Sequence, residues 1–242
     1  MIMMQIDKKL SNSVSSRIAK YIASAGICSR RAAEALISEG KVKVDGQVIT
    51  SPALNVDSHN IIEVNGQVIK PAEKVRLWLY YKPVGLITTH HDPQNRPTVF
   101  ESLKDSLPRV ISVGRLDLNS EGLLLLTNSG TFANSLESPK NNIERVYKVR
   151  TYGKTTSLLK NIDNGKIYNI TIDGITYKPK SIKLISSTAA NSWFRVVLTE
   201  GKNREIRKIF EYFNLEVNRL IRIKYGKYEL GNLKPGEFLE VL

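Results

Sequence analysis

Leu123 to Leu126 are four consecutive leucines, entered through Gly122 and followed by Thr127-Asn128. A run this short and this apolar reads as a buried strand, far below the ~20 residues that a membrane-spanning helix needs. Directly before it stands Gly114-Arg-Leu-Asp-Leu-Asn-Ser-Glu-Gly122, which sets a cation and a carboxylate two residues apart in a glycine-bounded segment. An aspartate at the lip of a buried strand is expected to be fixed in place and partly desolvated, the setting in which a carboxylate becomes a nucleophile or base. Aspartate also serves turns and caps, and Asn119-Ser120-Glu121 reads equally well as turn chemistry. The residues elsewhere in the chain must decide.

Those residues divide into two units. Residues 1–14 form a polar tail, 15–72 a first compact unit and 75–242 a second, with Pro71-Ala72-Glu73-Lys74 as a plausible hinge. In the first unit Ile18, Tyr21, Ile22 and Ala25 recur at helical spacing up to Gly26, and Ser29 is placed to cap a second helix, 30–39, ended by Gly40. Val44-Asp-Gly-Gln-Val-Ile49 is nearly repeated as Val64-Asn-Gly-Gln-Val-Ile69. Each copy carries the two-residue turn that favours a hairpin. Lys20, Arg30, Arg31, Lys41 and Lys43 are spread over these elements and would present a basic face to phosphates. The stretch from Arg17 to Ile49 resembles the α-L RNA-binding module of small-subunit ribosomal proteins and several RNA-modifying enzymes, which docks on folded RNA and carries no chemistry.

In the second unit strand-like segments dominate (75–81, 110–113, 122–127, 146–152, 166–172, 194–198 and 237–241), with helical stretches at 130–136 and 204–213. That mixture predicts an α+β fold on an antiparallel or mixed sheet, not the strand–helix alternation of a doubly wound nucleotide-binding fold.

Composition narrows the partners. The chain carries 36 Lys+Arg against 23 Asp+Glu, a formal net charge of +13, which favours a polyanion, nucleic acid before membrane. Asp7, Lys8 and Lys9 interrupt the apolar core that a signal peptide would need, so the chain is expected in the cytoplasm. The single cysteine, Cys28, excludes an internal disulfide and a cysteine-based zinc site. His90-His91-Asp92 is a poor metal site, because adjacent histidines cannot easily face one ion. No Walker phosphate loop and no G-x-G-x-x-G follows a predicted strand. No metal and no cofactor are expected.

Three segments combine basic and aromatic character. Residues 140–160 hold six basic residues, among them Arg145, Lys148 and Arg150, against one acid, with Tyr147 and Tyr152 between them. An aromatic inside a basic strand suits base stacking while cations hold phosphates. In 200–213, Ile206, Ile209, Phe210 and Phe213 form one apolar helix face, leaving Lys202, Arg204, Arg207 and Lys208 to project elsewhere. The third segment is Tyr80-Tyr81-Lys82-Pro83-Val84-Gly85 and the loop from Thr88 to Pro97.

Five strings in this order resemble the ribosomal RNA pseudouridine synthases of the small- and large-subunit (RsuA-like) family. They are Tyr81-Lys-Pro-Val-Gly85, Arg96-Pro-Thr-Val-Phe100, Val113 to Asn128, Glu144-Arg-Val-Tyr-Lys-Val149 and Glu200 to Phe210. The resemblance implies an RNA-binding module joined to a mixed-sheet catalytic domain. It implies the isomerisation of uridine to pseudouridine by base flipping, with Asp117 as the essential aspartate and Tyr147 stacking on the target base. Arg207 would ion-pair with Asp117, and Arg115 would fill the gap left by the everted uridine. Leu220 or Ile221 would make the apolar contact under the base. Lys148, Lys202 and Arg204 join the first unit's cations as RNA-binding candidates. The reaction is redox-neutral and needs no cofactor. The expected partner is ribosomal RNA, large-subunit RNA or an assembly intermediate, met by a monomer with no membrane role. A non-catalytic assembly protein would lack an intact set of these residues, and a metal-dependent nuclease would want clustered carboxylates where only Glu121 lies near Asp117.

Overall fold

The computed structural model describes residues 15–71 and 73–242; the tail expected at 1–14 lies outside the described residues. The chain divides between Lys74 and Val75 into two compact units.

In the first unit α1 (Ile18–Ser24) and α2 (Arg30–Ser38) are separated by Gly26 at φ 81°. The Ser29 hydroxyl accepts from the Ala32 amide at 3.1 Å, capping α2 as expected. Strands β2 (Val42–Val44), β3 (Gln47–Ile49), β5 (Ile62–Val64) and β6 (Gln67–Val68) form a sheet in the order β3-β2-β5-β6. Both hairpin turns place two successive residues at positive φ: Asp45 51° and Gly46 82°, Asn65 50° and Gly66 79°. That is the mirror-image turn whose twist matches paired strands, and it explains the repeated Asx-Gly. A short pair, β1 (Ser16–Arg17) with β4 (Asn55–Val56), completes the unit. Its core is Ile18, Ile22, Ala33, Ile37, Val42, Ile62 and Val64.

The second unit is built on a nine-stranded mixed sheet. Its strands in chain order are β7 (Leu77–Lys82), β8 (Ile111–Val113), β9 (Glu121–Thr127), β10 (Arg145–Tyr152), β13 (Ser181–Ser187), β14 (Asn191–Leu198), β15 (Glu216–Tyr225), β16 (Tyr228–Glu229) and β17 (Phe238–Glu240). The order β13-β14-β10-β15-β9-β7-β17 contains one parallel pair, β15 with β9; every other pair is antiparallel. The sheet therefore consists of two antiparallel halves joined at a parallel seam. All seven residues of β9 are buried, as the leucine run requires.

Gly122 sits at the seam with φ +100°, and a Cβ there would stand 2.4 Å from the Arg222 carbonyl oxygen. Only glycine permits this approach. One sheet face packs Trp78, Tyr80, Leu124, Leu126, Val149, Phe194 and Val196 under α3 (Val99–Leu103) and α6 (Glu205–Tyr212). The other packs Leu77, Leu79, Leu123 and Leu125 against α4 (Gly130–Glu137) and Leu230 and Leu233.

The segment expected as a strand over 166–172 is only half strand. Lys166–Tyr168 is a 3-10 turn started by Gly165 in the left-handed region, and only β11 (Ile170–Ile172) pairs, with β12 (Ile175–Tyr177). Helices α3 and α5 (Thr156–Asp163) and all of β13 and β15 are absent from the expected elements. Among the described residues no helix is long and apolar enough to cross a membrane.

Candidate active site

The leucine run anchors the site, which lies on the turn that enters it. The segment from Gly114 to Ser120 leads into β9 and is tied down from four directions. The Gly114 amide donates to Glu137 of α4. Thr88 Oγ1 donates to the Leu116 carbonyl at 2.9 Å and accepts from its amide at 3.3 Å. Lys82 Nζ donates to the Ser120 carbonyl at 2.8 Å. Arg207 Nη2 donates to the Asn119 carbonyl at 2.8 Å, and Nη1 to Val217 at 2.8 Å. A Ser120 amide to Asp117 carbonyl bond of 3.0 Å closes the turn. The backbone under Asp117 is thus fixed by β7, the 88–97 loop, α4 and α6 together.

Asp117 lines a cleft of about 930 Å³ with Arg115, Leu116, Tyr147 and Leu220. Four further cations enter its walls from the 199–207 segment and the sheet: Lys202, Arg204, Arg207 and Arg222, with Arg145 beside them. Tyr147 projects from β10 and is 8 % exposed; Leu220, 7 % exposed, comes from β15. The cleft offers a carboxylate, an aromatic plate and an apolar floor inside a positive field, an arrangement suited to an extruded base on a polyanion.

The geometry corrects two expectations about the aspartate. Asp117 is exposed, not partly desolvated, because the turn it starts lies ahead of the buried strand instead of within it. Arg207 does not ion-pair with it, since both Nη groups are taken by main-chain carbonyls and Asp117 forms no ion pair among the described residues. The two still sense each other. Burial and then Arg204 lower the Arg207 pKa, and the Asp117 charge opposes them. Burial likewise pushes the fully buried Lys82 ammonium down to about 8, against the pull of Asp117 and Glu121.

Pleating separates other candidates. Ile221 lies on the opposite face of β15 from Leu220 and does not line the cleft, whereas Leu220 does. Lys148 alternates away from Tyr147 in the same manner; its Nζ sits 5.4 Å from the Trp193 ring centroid, outside the cleft. Lys202 reaches the cleft, but its ammonium is held by Glu200 at 2.5 Å and the Thr176 carbonyl at 2.7 Å. Arg204, exposed and at φ 51°, and Arg115, exposed, are without ion pairs among the described residues.

Residues 76–212 match the family model described as RNA pseudouridylate synthase, and residues 16–62 match the S4 domain. The chain belongs to the RNA pseudouridine synthase family. It is 63% identical over 225 residues to an uncharacterized RNA pseudouridine synthase of Rickettsia felis, covering 93% of this chain and 96% of that one. It is 39% identical over 230 residues to the ribosomal large subunit pseudouridine synthase B of Pasteurella multocida, covering 90% of this chain and 64% of that longer protein. A solved pseudouridylate synthase shares the fold, with TM-score 0.62, 24% identity and coverage of 93% and 96%. The protein is therefore an isomerase with an RNA-binding S4 domain.

Within the S4 domain of this synthase all five candidate cations are exposed. Arg30 pairs with Glu34 at 3.4 Å and Lys41 with Glu39 at 2.7 Å, while Lys43 stands across the sheet from Glu63. Lys20 and Arg31 carry no ion pair among the described residues.

Sequence reasoning missed several residues that shape the synthase's cleft. Arg222 is 2 % exposed, donates through Nε to the Leu123 carbonyl at 2.7 Å and leaves Nη2 without a partner. It was hidden in the basic run 219–227. Glu205, 3 % exposed, lies against Glu200. Burial, then the hydrogen bond and charge of Glu200, push it up to about 8. Among the described residues the buried side-chain polar atoms without partners are Glu205 Oε1, Arg207 Nε and Arg222 Nη2, all on residues lining this cleft.

Proposed function

We propose that this synthase isomerises a uridine of large-subunit ribosomal RNA, with Asp117 as its essential carboxylate. One observation carries the reading: Asp117 stands exposed in a cationic cleft, on a turn fixed by four separate elements, beside Tyr147 and Leu220. The large-subunit target is supported by the 39% identity to the Pasteurella multocida and Salmonella typhi synthases B.

In this reading the S4 domain, residues 15–72, docks on folded RNA through Lys20, Arg30, Arg31, Lys41 and Lys43. Extruding the uridine costs a few kcal/mol. Stacking on Tyr147, worth about 1–3 kcal/mol, offsets that cost together with Leu220 beneath the base and phosphate contacts from Arg204. Arg115 fills the space the base leaves. The Asp117 carboxylate then attacks C1′ or removes a sugar proton as the C1′–N1 electron pair passes to the uracil. The freed uracil turns and C5 bonds to C1′, displacing the Asp117 carboxylate if it had bonded there or, on the other route, with the removed proton returned to the sugar; C5 then loses its proton and N1 gains one. Tyr147 assists that proton movement. Arg207 acts as a positioning residue, holding the Asn119 carbonyl and thereby the turn.

Asp117→Asn tests the assignment. The variant should bind in vitro transcribed large-subunit ribosomal RNA with affinity close to the wild type and form no pseudouridine. Retained turnover would overturn the role of Asp117. Chemical mapping of pseudouridine in ribosomal RNA from cells lacking the protein would then locate the target, and an unchanged map in the large subunit would refute the substrate.

A further inference from the structure

We propose that the open end of the sheet's second face is an RNA-docking surface separate from the cleft, centred on the row Lys183–Arg195–Lys148. The inference rests on the reading of ribosomal RNA as substrate and adds where that RNA is held away from its target nucleotide.

The row follows from register. Lys183 of β13 stands opposite Arg195 of β14, and Arg195 opposite Lys148 of β10, so three cations lie side by side on adjacent strands. One step along, Trp193 stands opposite Arg150. Lys148, Lys183 and Arg195 are exposed; Trp193 and Arg150 are half-buried. None of these five lines the cleft. Toward β7 and β9 the same face is covered by α4 and by Leu230 and Leu233, but at this end the cations face outward.

The arrangement is unfavourable in the protein alone. Neighbouring strands are about 4.8 Å apart, and like charges directly opposite one another destabilise a sheet. Ion pairs do not relieve this: among the described residues none of Lys148, Arg150, Lys183 and Arg195 forms one. Glu144 is close enough for Arg195 to lower its pKa, yet its carboxylate is taken by Lys180 at 2.5 Å. A row of cations without ion pairs across three strands matches a polyanionic backbone, and the RNA that this synthase binds is one. Lys148 lies over the Trp193 ring, 5.4 Å from its centroid, so the ring steadies the row.

The test is filter binding of in vitro transcribed large-subunit ribosomal RNA by the full chain, from 50 to 200 mM salt. The triple variant Lys148→Gln, Lys183→Gln, Arg195→Gln is compared with a charge-matched control, Lys160→Gln, Lys166→Gln, Lys234→Gln. These control lysines are also exposed. Each lost phosphate contact flattens the salt dependence by about 0.7–0.9 in log–log slope, so the triple variant should lose about 2 and bind at least tenfold more weakly at 100 mM salt. Its kcat at saturating RNA should equal the wild-type value. Should the triple variant misfold, each single substitution is expected to flatten the slope by about 0.7–0.9. Equal loss in the control, or no loss in the row variants, overturns the inference. If the wild type itself neither binds nor modifies this RNA, the substrate reading fails instead.

Discussion

Glu205 should make the catalytic domain lose stability as pH rises from the carboxylate range to about 8, and Glu205→Gln should remove that loss. The side chain starts α6 and is 3 % exposed, with Oε2 accepting from the Lys202 amide at 3.2 Å and Oε1 meeting no donor other than a proton shared with Glu200. Glu200 and Lys202 are the charged groups that act on it, and the Lys202 ammonium is already engaged by Glu200 at 2.5 Å. Two carboxyls facing one committed cation are most stable when they share a proton. Folding thus moves Glu205 from the usual 4.5 up to about 8. The folded form holds this proton more tightly than the unfolded chain, so the contribution is full below the unfolded value and is lost as pH climbs through about 8. At about 1.4 kcal/mol per pH unit the interval corresponds to roughly 5 kcal/mol if the loop stays rigid. It is about half that if residues 200–204 move to admit water. Urea unfolding of wild type and Glu205→Gln at pH 5, 7 and 9 measures it. The two proteins should agree within about 1 kcal/mol at pH 5, and the variant should be more stable by about 2 kcal/mol or more at pH 9. Parallel curves at all three pH values would refute the shared proton.

Three further outcomes follow from the same structure. Gly122→Ala should cost about 3 kcal/mol or more in denaturant unfolding, because its Cβ would stand 2.4 Å from the Arg222 carbonyl oxygen at a φ of +100°. Arg207→Lys keeps the charge but forfeits the fork that holds the Asn119 and Val217 carbonyls; kcat should fall about 100-fold while RNA affinity changes less than about threefold. At Glu121 burial pushes the pKa up, but hydrogen bonds from Arg219 and Tyr81 outweigh it and hold the carboxylate below its usual range. The stability it contributes is therefore present at neutral pH and lost as pH falls through the carboxylate range. Glu121→Gln should lower stability at pH 7 by about 1–3 kcal/mol and flatten the acid limb of the unfolding profile.

What could be read from the sequence was whatever a local rule dictates. The Asp45-Gly46 and Asn65-Gly66 turns demand positive φ at both residues, and the leucine run leaves no polar face. The apolar stripe Ile206, Ile209, Phe210, Phe213 fixes which side of α6 is buried. Helix α3 escaped although its signal was present: Thr98 and Glu101 form a reciprocal capping box. Strand β15 was hidden because Arg219, Arg222 and Lys224 break its apolar alternation, and two of them are spent inside the fold, Arg219 on Glu121 and Arg222 on the Leu123 carbonyl. Choosing Leu220 over Ile221 needed the register of β15 against β10, which depends on bulges with no sequence mark. Lys148 is different. Adjacent strand residues face opposite sides, so the period of a strand alone turns Lys148 away from Tyr147.

The parallel seam explains why the cleft sits where it does. In an antiparallel pair the turn entering β9 would lie beside the far end of its neighbour. Because β9 runs parallel to β15, with Glu121 level with Ile221 and Gly122 with Arg222, the turn ending at Ser120 arrives beside Leu220. Strand β10, paired to β15 on its other side, sets Tyr147 opposite Arg222. Three segments distant in sequence therefore meet at one level of the sheet, and the close approach needs the missing side chain of Gly122. A rigid sheet level supplies the aromatic plate and apolar floor, while the turn above it carries the carboxylate, held through Lys82 and Arg207 by main-chain carbonyls. The bonds that fix the turn do not use up the Asp117 carboxylate, which stays exposed in the cleft.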